Sequence, residues 1–168
     1  MHPLSRHVTD VPDFPKPGIL FRDITPLLRL HFTETVQALD ALFSAAEWDG
    51  ADVVGGIESR GFILAAALAE RRRKGFVPIR KKGKLPPPVV DRSYELEYGS
   101  GVLEMQRGSG RMILIDDVLA TGGTLSASAM LAVDAGFHVE LVGVLIDLGI
   151  ASEFRWQGRP VRTVIQYG

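Results

Sequence analysis

A chain of 168 residues with 46% hydrophobic and 23% charged residues has the composition of a folded globular domain, which argues against intrinsic disorder. Its formal net charge of −1 argues against a general binder of nucleic acid or membrane surfaces, and the lack of cysteine excludes disulfides, thiol nucleophiles and zinc–thiolate sites. The sequence shows neither an apolar core of the signal-peptide type at its start nor a run long enough to span a membrane. We therefore expect a soluble, single-domain cytoplasmic protein.

Residues 11–30 are crowded with proline, which predicts an irregular lobe rather than a helix or a central strand. We expect Leu20 and Phe21 to be the buried anchors of this lobe. The run Phe21, Arg22 and Asp23 fits either a platform on which a base stacks or a hydrophobic pin beside a surface ion pair. The local sequence by itself favours the pin.

The next segments alternate between helical and strand patterns. Apolar residues at helical spacing predict one amphipathic helix over residues 33–48, with Thr33 as its cap. A short buried strand is predicted over 52–57 and an apolar helix over 62–69. The segment 71–75, four basic residues and a glycine, suits the end of that helix, because cations complement its dipole and glycine serves as its cap.

Basic residues follow the ends of two predicted strands. Arg60 lies in the turn after the first strand, where a guanidinium can hold a phosphate with two hydrogen bonds. The second strand, 76–79, leads directly into the basic run 80–84, which is either solvated or part of a ligand-binding edge. Residues 85–101 are polar and bounded by prolines and glycines, which predicts an active-site flap before a return strand at 102–105.

The most informative stretch begins with the aliphatic residues 113–115, which predict a strand buried on both faces of a parallel sheet. Asp116 and Asp117 would stand where that strand ends. The small residues 120–124 and a helical pattern follow. A glycine-rich turn that opens a helix presents free N–H groups to an anion, so we predict a phosphate cradle beside an acidic pair that holds ribose hydroxyls or orients a metal.

Other interpretations of this turn are limited. The chain contains neither a Walker loop nor a dinucleotide-binding G-x-G-x-x-G motif here, and adjacent aspartates do not form a D-x-D nucleophile. The remaining alternative is an ordinary strand-to-helix turn after a solvated strand end. Beyond the turn, residues 139–146 predict a strand that ends at Asp147, and residues 161–166 predict a last strand in the small lobe.

The stretch 113–125 resembles the phosphoribosyl pyrophosphate signature of type I phosphoribosyltransferases. Nearly the whole chain resembles the adenine branch of that superfamily. The segments that carry the resemblance are D-F-P-K-P-G-I-L-F-R-D-I-T-P (13–26), G-I-E-S-R-G-F (56–62), I-R-K-K-G-K-L-P (79–86), S-Y-E-L-E-Y-G (93–99) and I-L-I-D-D-V-L-A-T-G-G-T-L (113–125).

The resemblance implies an α/β fold in which helices flank a five-stranded parallel sheet and a small hood covers the base. Residues 1–168 would then be one phosphoribosyltransferase domain. Its hood would comprise about 1–30 and 147–168, its core about 31–146, and its flexible flap about 81–101. The resemblance also implies a homodimer.

Residue by residue, the resemblance assigns a phosphoribosyl pyrophosphate site. Its loop would cradle the 5′-phosphate, its acidic pair would hold the 2′ and 3′ hydroxyls, and its basic residues would contact pyrophosphate, two of them from the same or from the partner subunit. The loop is Ala120, Thr121, Gly122, Gly123 and Thr124, the acidic pair is Asp116 and Asp117, and the basic residues are Arg60, Arg80 and Lys84.

The resemblance also assigns the base site and the catalytic residues. The base would lie between the hood segment and a residue after Asp147; these residues are Leu20, Phe21, Arg22 and Leu148. Glu97 on the flap, beside Tyr98, would be the acid/base near the purine, and Arg60 would assist the leaving pyrophosphate. Mg²⁺ would be held mainly by pyrophosphate and ribose oxygens, with no direct protein ligand.

The sequence therefore predicts an enzyme that transfers phosphoribose from phosphoribosyl pyrophosphate to adenine, giving AMP and pyrophosphate. One alternative is a phosphoribosyltransferase for a 6-oxopurine, which would read the purine edge with the opposite donor and acceptor sense. A less favoured alternative is a non-catalytic regulator that senses phosphoribosyl pyrophosphate, which would need a DNA-binding module. We expect small-molecule substrates and neither nucleic acid nor membrane as a partner.

Overall fold

The computed structural model describes residues 2–96, 99–151 and 153–168. A short 3-10 helix, Pro3–His7, precedes the other elements. The strands are β1 (Thr9–Pro12), β2 (Leu20–Asp23), β3 (Val53–Ile57), β4 (Gly75–Lys81), β5 (Val90–Leu96), β6 (Gly99–Met105), β7 (Gly110–Leu119), β8 (Phe137–Asp147), β9 (Arg155–Trp156), β10 (Arg159–Pro160) and β11 (Arg162–Gln166). The helices are α1 (Thr25–Leu30), α2 (Phe32–Asp40), α3 (Ala45–Gly50), α4 (Arg60–Arg72) and α5 (Gly123–Asp134).

A seven-stranded sheet with the order β11-β8-β7-β3-β4-β6-β5 forms the centre of the molecule. The first five strands in that order are parallel, and β6 and β5 extend the sheet as an antiparallel hairpin. The predicted α/β fold with a central parallel sheet and flanking helices is confirmed. The predicted flap is thus largely β-structure, because β5 and β6 pair along their length.

Alternation along β7 explains why the sheet has helices on both faces. Ile113 and Ile115 pack into the cluster that includes residues of α2 and α4, while Met112 and Leu114 pack into the cluster that includes residues of α5. All four side chains are at most 1% exposed. A strand whose successive side chains are all apolar can be covered on both faces, which is the normal situation for a parallel sheet.

The single helix predicted over residues 33–48 is wrong. The chain forms α2 and α3 instead, because Ser44 and Glu47 make a capping box that starts a new helix at Ala45. Thr33 is not a cap, since α2 begins one residue earlier at Phe32. Glu47 also pairs with Arg162 of β11 at 2.6 Å, which lowers the pKa of Glu47 to about 2 and ties α3 to the edge of the sheet.

The predicted helix 62–69 begins earlier and ends later, as α4. Its last residue is Arg72, and its cap is Arg73 in the left-handed conformation (φ 53°), not Gly75, which begins β4. The guanidinium groups of Arg71 and Arg72 lie 3.2 and 2.6 Å from the carboxylate of Asp40 in α2. For Arg71 and Arg72 the interpretation as structural residues is confirmed, whereas the predicted glycine cap is wrong.

The proline-rich lobe contains more regular structure than predicted. β1 and β2 form a separate antiparallel hairpin, and Pro26 stands in the first turn of α1, where proline is tolerated because the first N–H groups need no helical partner. Leu20 is 46% exposed, so its predicted role as a buried anchor is wrong, while Phe21 is half-buried. A two-stranded hairpin has too few neighbours to bury every apolar side chain.

The last strand also differs from the prediction. β11 pairs in parallel with β8 at the edge of the central sheet, and so does not belong to the small lobe. Among the described residues, no helix is both long and apolar enough to cross a membrane.

Candidate active site

The acidic pair, the glycine-rich loop and the basic residues of the predicted site lie toward the edge of the sheet where the parallel strands end. β3 ends before Arg60, β4 ends at Lys81 within the basic run 80–84, and β7 ends at Leu119 just before the glycine-rich loop. Because parallel strands end at one edge, loops far apart in sequence come together there. The structure thus gathers the acidic pair, the glycine-rich loop and the basic residues on one side of the molecule.

Asp116 and Asp117 lie within β7 and not at its end. The strand continues because Asp116 and Leu119 pair with Val144 and Asp147 of β8. Both carboxylates are consequently buried, with the two residues 7% and 8% exposed. The alternative of a solvated strand end is therefore wrong.

Arg60, the first residue of α4, compensates this buried acidic pair. Its Nε lies 2.7 Å from Oδ2 of Asp117, an ion pair that is not aligned as a hydrogen bond. Its Nη1 is buried and has no hydrogen-bond partner among the described residues. A buried N–H donor is costly when unpaired, so this nitrogen is a ready contact for a ligand anion.

Asp116 is held in an environment that disfavours its ionised form. Burial and, after it, the negative charge of Asp117 raise the pKa of Asp116 well above its usual value, against the smaller opposing effect of Arg60. Gly61 approaches this carboxyl so closely that a Cβ there would lie 2.6 Å from its Oδ1. The glycine after Arg60 is therefore a steric requirement of the acidic pair.

The glycine-rich loop has the geometry of an anion cradle. Gly122 adopts the left-handed conformation (φ 85°) that glycine accepts without strain, and α5 begins at Gly123. The first N–H groups of α5 have no partner within the helix, and a small cavity of about 60 Å³ lies at the turn. The residues that line this cavity are Val118, Leu119, Ala120, Thr121, Gly122, Thr124 and Leu125.

The basic run is not a freely solvated segment. Arg80 donates from Nη2 to Oε1 of Glu58 and from Nη1 to the carbonyl oxygen of Lys84, both at 3.2 Å. Its Nε is buried and unpaired within the described part of the chain. The backbone N–H of Lys84 donates to Oε1 of Glu104 at 2.7 Å. Arg80, like Arg60, thus has one buried nitrogen left for a ligand.

Phe21 and Arg22, which the sequence assigns to the hood, lie in β2, and Phe21 contacts Arg60 at this edge. The ring of Phe21 packs edge-on against Phe14, with ring centres 5.1 Å apart, and lies 4.9 Å from the guanidinium carbon of Arg60. Arg22 pairs with Asp10 and stacks over the ring of Tyr167 at 4.1 Å. Phe21 therefore contacts Phe14 within the lobe and also Arg60 of the ion pair. A role limited to hydrophobic anchoring of the lobe does not account for the second contact.

Leu148 follows β8 and is half-buried; its N–H donates to the carbonyl oxygen of Leu119, which brings it beside the glycine-rich loop.

Glu97 and Tyr98 lie outside the described residues. The flap strand before them reaches the cradle, because a Cβ placed on Gly123 would lie 3.2 Å from the carbonyl oxygen of Glu95.

Sequence reasoning missed three residues that shape this site. Glu58 and Glu104 hold the basic run, and Tyr167 stacks on Arg22. Glu58 had a signal, since it stands between a predicted strand end and Arg60. For Glu104 the only signal was a single carboxylate between Leu103 and Met105, because its partners, the N–H groups of Lys84 and Leu85, lie in a loop about twenty residues away in the sequence.

The fold and the site together define a type I phosphoribosyltransferase. No family model matches the chain. It is 50% identical over 167 residues to an adenine phosphoribosyltransferase of Hydrogenovibrio crunogenus, with 99% of this chain and 97% of that protein covered. The chain belongs to the adenine phosphoribosyltransferase family.

Two solved structures extend the comparison. The adenine phosphoribosyltransferase of Rhodothermus marinus superposes with a TM-score of 0.86 at 43% identity, covering 97% of this chain and 96% of that one. The Saccharomyces cerevisiae enzyme, solved with adenine and an imino-altritol bisphosphate, gives 0.86 at 32% identity, covering 96% of each chain.

Asp116→Asn should stabilise the protein and impair its activity. When folding raises the pKa of a carboxyl, the protein loses stability as the pH rises from the pKa of that group in the unfolded chain toward its pKa in the folded protein. Asparagine does not titrate, so the variant is free of this loss. We expect a gain of about 1 kcal/mol in the free energy of unfolding at pH 8 and none at pH 3, measured by urea denaturation at both values. A loss of stability at pH 8 would contradict the raised pKa.

Gly123→Val should weaken the binding of phosphoribosyl pyrophosphate while the fold persists. The new side chain would press against the carbonyl oxygen of Glu95 and fill the mouth of the cradle. We expect an affinity loss of at least about tenfold, ~1.4 kcal/mol, by calorimetry. Gly50→Ala, where a Cβ meets only Arg111 at 3.8 Å, is the control. Unchanged affinity in Gly123→Val would remove the loop from the phosphate site.

Proposed function

We propose that this protein transfers phosphoribose from phosphoribosyl pyrophosphate to adenine, releasing AMP and pyrophosphate. The observation that carries the proposal is the position of Arg60. Its guanidinium contacts the buried Asp117 on one side and the ring of Phe21 on the other, so one residue links a ribose-type acidic pair to an aromatic base platform. Relatives that carry the name adenine phosphoribosyltransferase over nearly the whole chain support the same activity.

The proposed roles follow from the contacts. The N–H groups at the start of α5 hold the 5′-phosphate, and Asp116 and Asp117 accept hydrogen bonds from the ribose hydroxyls. The free nitrogens of Arg60 and Arg80 take oxygens of the pyrophosphate as negative charge develops on it. Lys84 adds charge to this group. Most of the catalysis is then positioning and electrostatic stabilisation around a sugar with partial cationic character.

Mg²⁺ is the cofactor we propose. The fit rests on the acidic pair, because a buried carboxyl with a raised pKa beside a second carboxylate is stabilised in its ionised form by a nearby cation. Asp116 and Asp117 would orient the ribose hydroxyls, and the substrate's own oxygens would then hold the ion. When bound, Mg²⁺ neutralises part of the charge on the leaving pyrophosphate.

The base would stack on Phe21, with Leu20 and Arg22 beside it and Leu148 closing the other face. Phe21 is already fixed by its edge contact with Phe14, so it offers a rigid aromatic surface. The S. cerevisiae relative was solved with adenine, which supports the adenine assignment over a 6-oxopurine. A sensing regulator is not favoured, because the matched relatives carry the name of the enzyme along almost their full length.

A homodimer and a cytoplasmic location belong to the same proposal. A groove between α2 and α4 has a mixed lining, with apolar Phe32, Val36 and Ala67 beside polar or charged Thr33, Glu70 and Arg71, and we propose it as a contact between two copies of the chain. The proposed hood, core and flap boundaries stay predictions from the sequence.

Base choice tests the proposed function directly. The protein is incubated with phosphoribosyl pyrophosphate, Mg²⁺ and one base at a time, and the nucleotide is identified by mass. We expect AMP from adenine, with hypoxanthine and guanine slower by up to about 10⁴-fold, since a site that pairs with one purine edge leaves its buried groups unpaired against the other. Comparable rates with adenine and guanine would overturn the adenine assignment.

Glu97→Gln tests the proposed acid/base. Adenine leaves in the reverse reaction only when a ring nitrogen is protonated, so a carboxyl on the flap would serve both directions. We expect kcat to fall by about 10²- to 10⁴-fold with little change in the binding of phosphoribosyl pyrophosphate. Glu95→Gln, two residues earlier on the flap, is the matched control and should have a much smaller effect. Equal and mild effects would leave the flap with a steric role.

A further inference from the structure

Glu104 is a buried carboxylate that faces the basic loop, residues 80–85. It lies in β6 directly opposite Arg80 of β4 and is 3% exposed. Its Oε1 accepts hydrogen bonds from the backbone N–H groups of Lys84 and Leu85, each at 2.7 Å. The carboxylate thus binds the backbone of the basic loop beyond the end of β4, at Lys84 and Leu85.

The turn is built around this charge. Gly83 adopts a left-handed conformation (φ 84°), which points consecutive N–H groups of the loop toward one acceptor, as in a backbone anion nest. The N–H groups of Gly83, Leu85 and Lys84 lower the pKa of Glu104, against the opposing effect of burial. The carboxylate is therefore ionised at neutral pH and stays a fixed acceptor for the loop.

A chain of contacts leads from Glu104 to the proposed pyrophosphate site. Glu104 fixes Lys84 through its N–H, and the carbonyl oxygen of Lys84 accepts from Nη1 of Arg80 at 3.2 Å. Nη2 of Arg80 reaches Glu58, whose other oxygen accepts the N–H of Lys81 at 2.7 Å. Two of the three guanidinium nitrogens of Arg80 therefore have hydrogen-bond partners, and the buried Nε, which has none among the described residues, is the one left for a ligand.

We propose that Glu104 is a positioning residue that holds the basic loop in the conformation that binds pyrophosphate, without itself contacting substrate. The inference rests on the proposed function, because it assigns the free Nε of Arg80 and the ammonium of Lys84 to the pyrophosphate end of the substrate. A loop that is ordered before binding loses less conformational entropy on binding, so the energy of its contacts goes into affinity.

The role predicts a selective defect. A carboxylate that only stabilised the fold would affect both substrates alike through the amount of folded protein. A carboxylate that sets the basic loop should raise KM for phosphoribosyl pyrophosphate and weaken the binding of inorganic pyrophosphate, while KM for adenine stays unchanged, because the hood contacts of Phe21 do not involve this loop.

The first variant is Glu104→Gln, which keeps the shape of the side chain but replaces one acceptor oxygen with a donor amide and removes the charge. We expect KM for phosphoribosyl pyrophosphate and Kd for inorganic pyrophosphate to rise roughly 10- to 100-fold. Asp91→Asn is the matched control. Asp91 faces Glu104 across β5 and β6, and it also contacts the basic loop, but only through an exposed ion pair with Lys82 at 3.0 Å.

A second variant guards against a folding defect in the first. Gly83→Ala adds a methyl group that meets no atom within 4 Å, yet it strains the left-handed turn that presents the N–H groups to Glu104. We expect the same selective loss of pyrophosphate affinity, in a protein whose core is untouched.

Calorimetry with inorganic pyrophosphate and steady-state kinetics with both substrates decide the matter. Selective losses in Glu104→Gln and Gly83→Ala, with Asp91→Asn close to wild type, support the proposal. If the wild-type protein makes AMP and binds pyrophosphate but both loop variants do so equally well, the inference is wrong and the proposed function stands. If the wild-type protein neither binds pyrophosphate nor makes AMP, both fail together.

Discussion

The constraint on which the site depends is the burial of two adjacent carboxylates in a central strand. Asp116 and Asp117 are almost inaccessible, and a buried charge is tolerated only with a partner. The ion pair between Asp117 and Arg60 meets this need, and it fixes much of the local chain. α4 has to begin at Arg60, and the residue after it has to be a glycine, because any side chain would collide with Asp116.

Carboxylates place the other cations of this edge as well. Glu58 holds Arg80, and Glu104 holds the backbone of the loop that carries Lys84. Two arginines at this edge each keep one buried nitrogen that has no partner among the described residues: Nη1 of Arg60 and Nε of Arg80. An unmade hydrogen bond of this kind costs about 1–3 kcal/mol in the free protein. Two such donors at one edge of the sheet fit a binding site in which the oxygens of a bound anion accept their hydrogen bonds.

The sequence was most informative where function and local pattern coincide. The aliphatic run of β7, the acidic pair, the glycine-rich loop and Arg60 lie in short segments whose chemistry depends on residues close in sequence. Three features that the local pattern did not indicate depend on contacts between distant segments. β7 continues past Asp117 because β8 pairs with it, Leu20 is exposed because its hairpin has no covering layer, and Glu104 acts on a loop some twenty residues away.

The segment proposed as the hood is held by the C-terminal segment and by Arg60. Arg22 of β2 stacks on Tyr167, whose N–H donates to the carbonyl oxygen of Asp147 at the end of β8. Phe21, the next residue along β2, faces Arg60 instead. The proposed base platform therefore lies between the C-terminal segment and the ion pair of Arg60 with Asp117. A change that moves Arg60 would displace the proposed pyrophosphate contact and the proposed base platform together, because one guanidinium group contacts both Asp117 and Phe21.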